Sequence, residues 1–248
     1  MKALPHPHIP AFASEGGVLR AESLRSYLLE LREAYTPYAP VPPVTLYVLS
    51  ERDWRALLPY PYGLAFQRSE GGRLSLFAPL TYPERLLHRF REALLPLGPP
   101  PLEIPAFLDL NLGHEYAHAL QVAWRLRTGV RWLDEFLANY LFLLGLAKAR
   151  PDLAEPLLAF SRYLSRLEPE RRSLSAYERR RGNLQSALWF QAQFTLKSQE
   201  ILERKGDGLL LAFLQAAPLD RKKGHRILLE LFPELRAWFA AFGLKDAP

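Results

Sequence analysis

Pro105–Arg150 reads PAFLDLNLGHEYAHALQVAWRLRTGVRWLDEFLANYLFLLGLAKAR, and the fold turns on how this stretch is divided. Apolar residues recur at helical spacing at Phe107, Leu108, Leu110, Leu112, Ala117, Leu120, Val122 and Ala123, and again from Trp132 onward. The spacing predicts two helices, Pro105 to Arg127 and Trp132 to Arg150, joined through Thr128-Gly129-Val130-Arg131. Flanks this apolar belong to a core, yet Asn111, His114, Glu115, His118 and Gln121 form a polar stripe down the first helix. Polar groups buried without partners cost on the order of a few kcal/mol each, and a metal ion would supply the missing partner. His114 and His118 are four residues apart, so their imidazoles stand one turn above each other and can share an ion, with Glu115 beside them.

The chain contains no cysteine. Disulfides and thiolate ligands are thereby excluded, and any metal must be held by histidine and carboxylate. Two neutral imidazoles leave zinc positive enough to acidify water, and a carboxylate that is not itself a ligand can take the proton, the role expected of Glu115. Catalytic zinc needs a third protein ligand. The next acids after His118 are Asp134 and Glu135. Returning to the level of His118 means recovering roughly 13 Å of helical rise, which four or five extended residues at ~3.3 Å each can do, so Glu135 can reach.

Outward from this pair, the sequence beyond residue 101 reads as a larger helical lobe. Helical periodicity continues over Pro151 to Leu167, Leu174 to Arg204, Gly208 to Ala216, Arg221 to Leu231 and Pro233 to Phe242. Leu97-Gly98-Pro99-Pro100-Pro101 is the strongest punctuation in the chain, and it sets off residues 1–100 as a smaller α/β lobe. That lobe is expected to hold helices at Ala21 to Ala34, Glu51 to Leu58 and Pro83 to Leu95, and a strand at Val44 to Leu49. Leu64 to Arg68 and Arg73 to Ala78 are candidate strands on either side of a Gly71-Gly72 hairpin signal. The fold class is therefore α+β, mostly helical, a single unit with a cleft between its lobes.

The formal charge of +6 raises the question of a nucleic-acid partner. The basic residues are scattered, and the densest runs, Arg179-Arg180-Arg181 and Arg221-Lys222-Lys223, are not interleaved with aromatics, so solvated helix faces account for them and no nucleic acid is expected. No apolar leader or membrane-length run is present, and a cytoplasmic protein is expected. Its 22 prolines, single methionine and abundant arginine resemble the composition of heat-adapted proteins. His6 and His8 are assigned to a mobile terminus, and His88 and His225 to helix surfaces. Trp189, Phe190, Phe194 and Leu196 are assigned to the core. Ser161 and Ser198 lack any nucleophile pattern.

His114-Glu115-x-x-His118 followed by Trp132-Leu133-Asp134-Glu135-Phe136-Leu137-Ala138-Asn139-Tyr140 resembles the gluzincin metallopeptidases, a zincin-like group in which a glutamate from a later helix completes the zinc site. The second segment is similar to the aminopeptidase N pattern W-L-N-E-G-F-A-x-Y at Trp132, Leu133, Glu135, Ala138 and Tyr140, and departs from it at Asp134, Phe136 and Leu137. The resemblance implies a zinc peptidase with Glu135 as third ligand and Asn139 in the place of a residue that steadies a zinc-bound histidine. It also implies a sheet whose edge strand, Arg73 to Ala78, pairs with extended peptide substrate. No G-x-M-E-N segment is present to grip a substrate amine. Tyr177-Glu178-Arg179-Arg180-Arg181-Gly182 is similar to the segment bearing the oxyanion-stabilising tyrosine, whereas counting back from Lys205-Gly206 puts Phe190-Gln191 there instead. Two alternatives stand beside the peptidase: a non-enzymatic binding protein on the same scaffold, and a nucleic-acid binder using its arginine-rich surface.

Overall fold

A computed structural model describes residues 1–179 and 182–243; Arg180 and Arg181 of the basic run fall outside it. Two three-residue strands, β1 (Lys2–Leu4) and β2 (Ala11–Ala13), lead into α1 (Val18–Tyr35), β3 (Val44–Leu49) and α2 (Glu51–Leu57). The hairpin β4 (Phe66–Glu70) and β5 (Arg73–Pro79) follows, then α3 (Glu84–Leu94) and a 3-10 turn at Leu95–Leu97. Gly71 and Gly72 have φ of 56° and 79°, the double positive turn that a two-residue hairpin of this twist requires. The segment holding His6 and His8 is ordered rather than mobile, because the His6 Nδ1 accepts from the backbone N–H groups of His8 and Ile9.

The five strands run in the order β1-β2-β3-β5-β4. This corrects the expected edge: Arg73–Ala78 lies inside the sheet, parallel to β3 on one side and antiparallel to β4 on the other. The physical reason is the alternation of Leu74, Leu76 and Ala78, which align with Val44, Leu46 and Val48 and are buried with them. Ala21, Leu24, Leu28 and Leu31 of α1 are buried in the same core. The edge on this side of the sheet is β4, whose half-buried and exposed FQRSE sequence suits an edge strand.

The helical part comprises α4 (Ile104–Leu110), α5 (Leu112–Ala123), α6 (Arg131–Ala149), α7 (Pro151–Leu164), α8 (Leu174–Glu178), α9 (Leu184–Lys205), α10 (Gly208–Ala216), α11 (Arg221–Leu231) and α12 (Leu235–Ala241). The molecule is thus α+β and mostly helical. The expected Pro105–Arg127 helix is interrupted at Asn111 and stops at Ala123. Its end is closed by bonds from Arg125 N to Val122 O and from Leu126 N to Gln121 O, with Arg125 at φ 59°. That is the Schellman arrangement usually made by glycine, and with arginine in the left-handed place it leaves no sequence signal. The expected Leu174–Arg204 helix is likewise two, α8 and α9, started by the side-chain caps of Ser173 and Asn183.

The apolar core is continuous from Leu4 to Phe242, across the proline-rich punctuation. Helix α1 ties sheet to helices: the Tyr35 hydroxyl donates to Leu141 O at 2.6 Å and that of Tyr27 to Leu110 O at 2.8 Å. A side chain on Gly113 would run into the Tyr27 hydroxyl and the Phe142 ring, so the residue before His114 is held to glycine by close approach. Trp189, Phe190 and Phe194 are buried as expected, while Leu196 is half-buried. His225, expected on a surface, is 1% exposed. Among the described residues no helix is long and apolar enough to cross a membrane.

Candidate metal centre

Helix α5 presents His114 and His118, both buried, toward α6, where Glu135 meets them. The Glu135 Oε2 lies 3.2 Å from His114 Nε2 and 3.6 Å from His118 Nε2. Bonds of about 2.0–2.1 Å at tetrahedral angles put neighbouring zinc ligands roughly 3.3 Å apart, so these separations fit one ion between the three atoms. Asp134, the other candidate acid, is spent elsewhere. It accepts from Thr128 N and Oγ1 at 2.7 and 2.8 Å and pairs with Arg127 at 3.2 Å, pinning the turn that brings α6 back.

Gln121 decides which nitrogen of His118 is free. Its amide nitrogen donates to Asp134 O at 2.7 Å, and a carbonyl can only accept, so the amide oxygen must face His118 Nδ1 at 2.8 Å. Nδ1 therefore carries the proton, and in the neutral ring Nε2 turns a bare lone pair toward the Glu135 carboxylate. Two such acceptors face each other only with a cation or a proton between them. Burial would lower the His118 pKa, but contact with the Glu135 and Glu115 carboxylates outweighs it and raises it. Burial likewise works to raise Glu135, yet bonds to the two imidazoles hold its carboxyl well below the usual range. His114 Nδ1, in contrast, is buried with no partner among the described residues.

Glu115, expected as catalytic base, flanks this trio without joining it. Its Oε2 accepts from Gln67 N of the edge strand at 2.9 Å. Burial raises its pKa, opposed in part by His118 and His114. The second Gln67 donor, its side-chain Nε2, is buried without an acceptor.

Tyr177 and Gln191, which the sequence offered as rival occupants of one position, are both here. The Gln191 Nε2 donates to Glu135 Oε2 at 2.8 Å and to the Tyr177 hydroxyl at 3.1 Å. Burial, then the Glu135 charge, raises the Tyr177 pKa well out of reach of neutral pH, so the hydroxyl keeps a proton that no other described residue accepts. Asn139 departs from expectation. It touches neither imidazole; its amide donates to Glu135 O at 2.9 Å and Gln191 Oε1 at 2.6 Å and accepts from Thr195 Oγ1 at 2.8 Å. The residue bonded to a candidate ligand imidazole is Gln121, whose only sequence signal was its place at the end of the polar stripe.

No family model, curated protein or solved structure matches this chain.

Proposed function

We propose that the protein is a zinc-dependent metallopeptidase in which His114, His118 and Glu135 hold the ion and Glu115 is the general base. The observation that carries this reading is the convergence of two imidazoles and one carboxylate whose ligand atoms lie within 4.8 Å of one another, with the His118 proton fixed on the far nitrogen by Gln121. When bound, zinc supplies a Lewis acid for the scissile carbonyl and makes water acidic enough to ionise near neutral pH.

The chain's own groups do the rest. Glu115 takes a proton from the attacking water and returns it to the departing amine; its raised pKa suits proton transfer in both directions. The Gln67 N–H steadies one of its oxygens and leaves the other for that traffic. The protonated Tyr177 hydroxyl donates to the developing oxyanion, and Gln191 holds both it and Glu135 in place. The edge strand β4, which lies beside Glu115, is where an extended peptide would pair. The resemblance to gluzincin peptidases supports the same roles for His114, Glu115, His118 and Glu135. We expect the enzyme to work in the cytoplasm.

Metal analysis of protein purified without added zinc, with casein hydrolysis by wild type and Glu115→Gln, tests this. Zinc equimolar with the chain and a fall in turnover of about 10²–10⁴-fold in the zinc-retaining variant are expected. Equal turnover in both would remove Glu115 from the reaction, and zinc binding without cleavage of any peptide would leave a binding protein.

A further inference from the structure

Arg131 opens α6 about one helical turn before Glu135, so the two side chains leave the helix on the same face, about 6 Å apart along its axis. The guanidinium lies over the Tyr177 ring, 4.6 Å from its centre, and donates to Tyr177 O at 2.8 Å. It is held in place by these contacts, but neither neutralises it. Arg127 pairs with Asp134 and Arg68 with Glu70. Arg131 has no carboxylate within ion-pair distance among the described residues, since Glu178 accepts from the backbone N–H groups of Arg131 and Trp132 instead.

Beside this guanidinium is a small pocket of about 130 Å³ lined by Arg131, Tyr177, Asn183, Ser186 and Phe190. One residue, Tyr177, joins it to the candidate metal centre: it lines the pocket, and its hydroxyl accepts from Gln191, which also donates to Glu135. A half-buried, oriented guanidinium with no ion-pair partner among the described residues, on the wall of a cavity of side-chain size, can receive a planar anion, because its fork of donors matches a carboxylate.

We infer that Arg131 is a specificity-determining residue and that the pocket beside Tyr177 takes a carboxylate of the substrate, from an acidic side chain or a peptide C-terminus close to the scissile bond. This rests on the peptidase reading for the position of the scissile bond, and the chain's net charge of +6 favours the approach of such substrates.

Fluorescein-labelled peptides of one sequence, carrying either Glu or Gln at a central position and each with a free or amidated C-terminus, are titrated by anisotropy into zinc-treated Glu115→Gln protein. The expected result is a preference of about tenfold or more for the carboxylate-bearing member of a pair. That ratio should fall toward one when Arg131→Met is added and be partly kept by Arg131→Lys, a rescue by charge that a structural role would not give. Preference within the Glu/Gln pair assigns a side-chain carboxylate, and preference within the free/amidated pair assigns the chain end. A ratio near one in the parent for both pairs, or a preference that survives Arg131→Met, overturns the inference. Zinc content and casein turnover report separately on the peptidase reading: protein that lacks both yet shows an Arg131-dependent preference keeps the subsite and loses the peptidase.

Discussion

Two buried imidazoles of this chain live in opposite surroundings. His118 has Gln121 on one nitrogen and the Glu135 carboxylate facing the other. His225, on α11, is packed at 5.1 Å from the Trp132 ring and 5.8 Å from that of Phe239, and neither of its nitrogens has a partner among the described residues. Burial, with a smaller push from Arg221, lowers the His225 pKa to about 4, whereas that of His118 is raised. Burial is common to both, so burial alone does not mark a site. What distinguishes them is a second polar layer: Gln121, Asn139, Gln191 and Thr195 serve the candidate ligands and nothing comparable serves His225.

The comparison breaks most sharply on paired substitutions. His118→Ala should abolish equimolar zinc binding, read by metal analysis after dialysis, while His225→Ala should keep the zinc and lower the melting temperature; zinc lost equally from both would erase the distinction. A smaller effect is expected from Gln121→Leu, which leaves every ligand in place and removes the group that fixes the His118 proton. Zinc affinity, measured by competition with a chelator, should fall about 10–100-fold, and an unchanged affinity would mean that Gln121 only packs. The smallest effect belongs to His225. Its folded pKa of about 4 lies below the unfolded value near 6.5, so between those pH values the unfolded chain binds the extra proton. Stability therefore falls as pH drops from 6.5 to 4 and levels off below, by on the order of 1–3 kcal/mol from this group. In urea titrations His225→Phe should show a shallower loss over that window than wild type; parallel curves would show that His225 does not titrate as described.

The sequence made the two α5–α6 segments legible because their chemistry is local: four-residue spacing fixes the imidazole pair on any helix, and the Gly71-Gly72 turn fixes its own hairpin. The strand order was not legible. Nothing within Arg73–Ala78 says that its apolar side will pair in parallel with Val44–Leu49, a contact that only the folded sheet creates, and so the sequence points to β5 as the edge where the fold has β4. Strands of three residues, such as β1 and β2, are too short to display alternation. Around the site, Asn139 was placed by likeness and Gln121 by pattern, and the fold gave the imidazole to the second. The two competing registers for Tyr177 and Gln191 arose because each residue in fact reaches the centre from a different helix.

The closed space around Gly113 bears on how such a chain can change over generations. The position just before His114 admits no side chain while Tyr27 and Phe142 stay put. On the proposed function, a descendant that no longer cleaved peptides would not need the Glu115 carboxylate for proton transfer, whereas packing would still hold Gly113 to glycine, so a Gly-His pair kept without its acid would record the change.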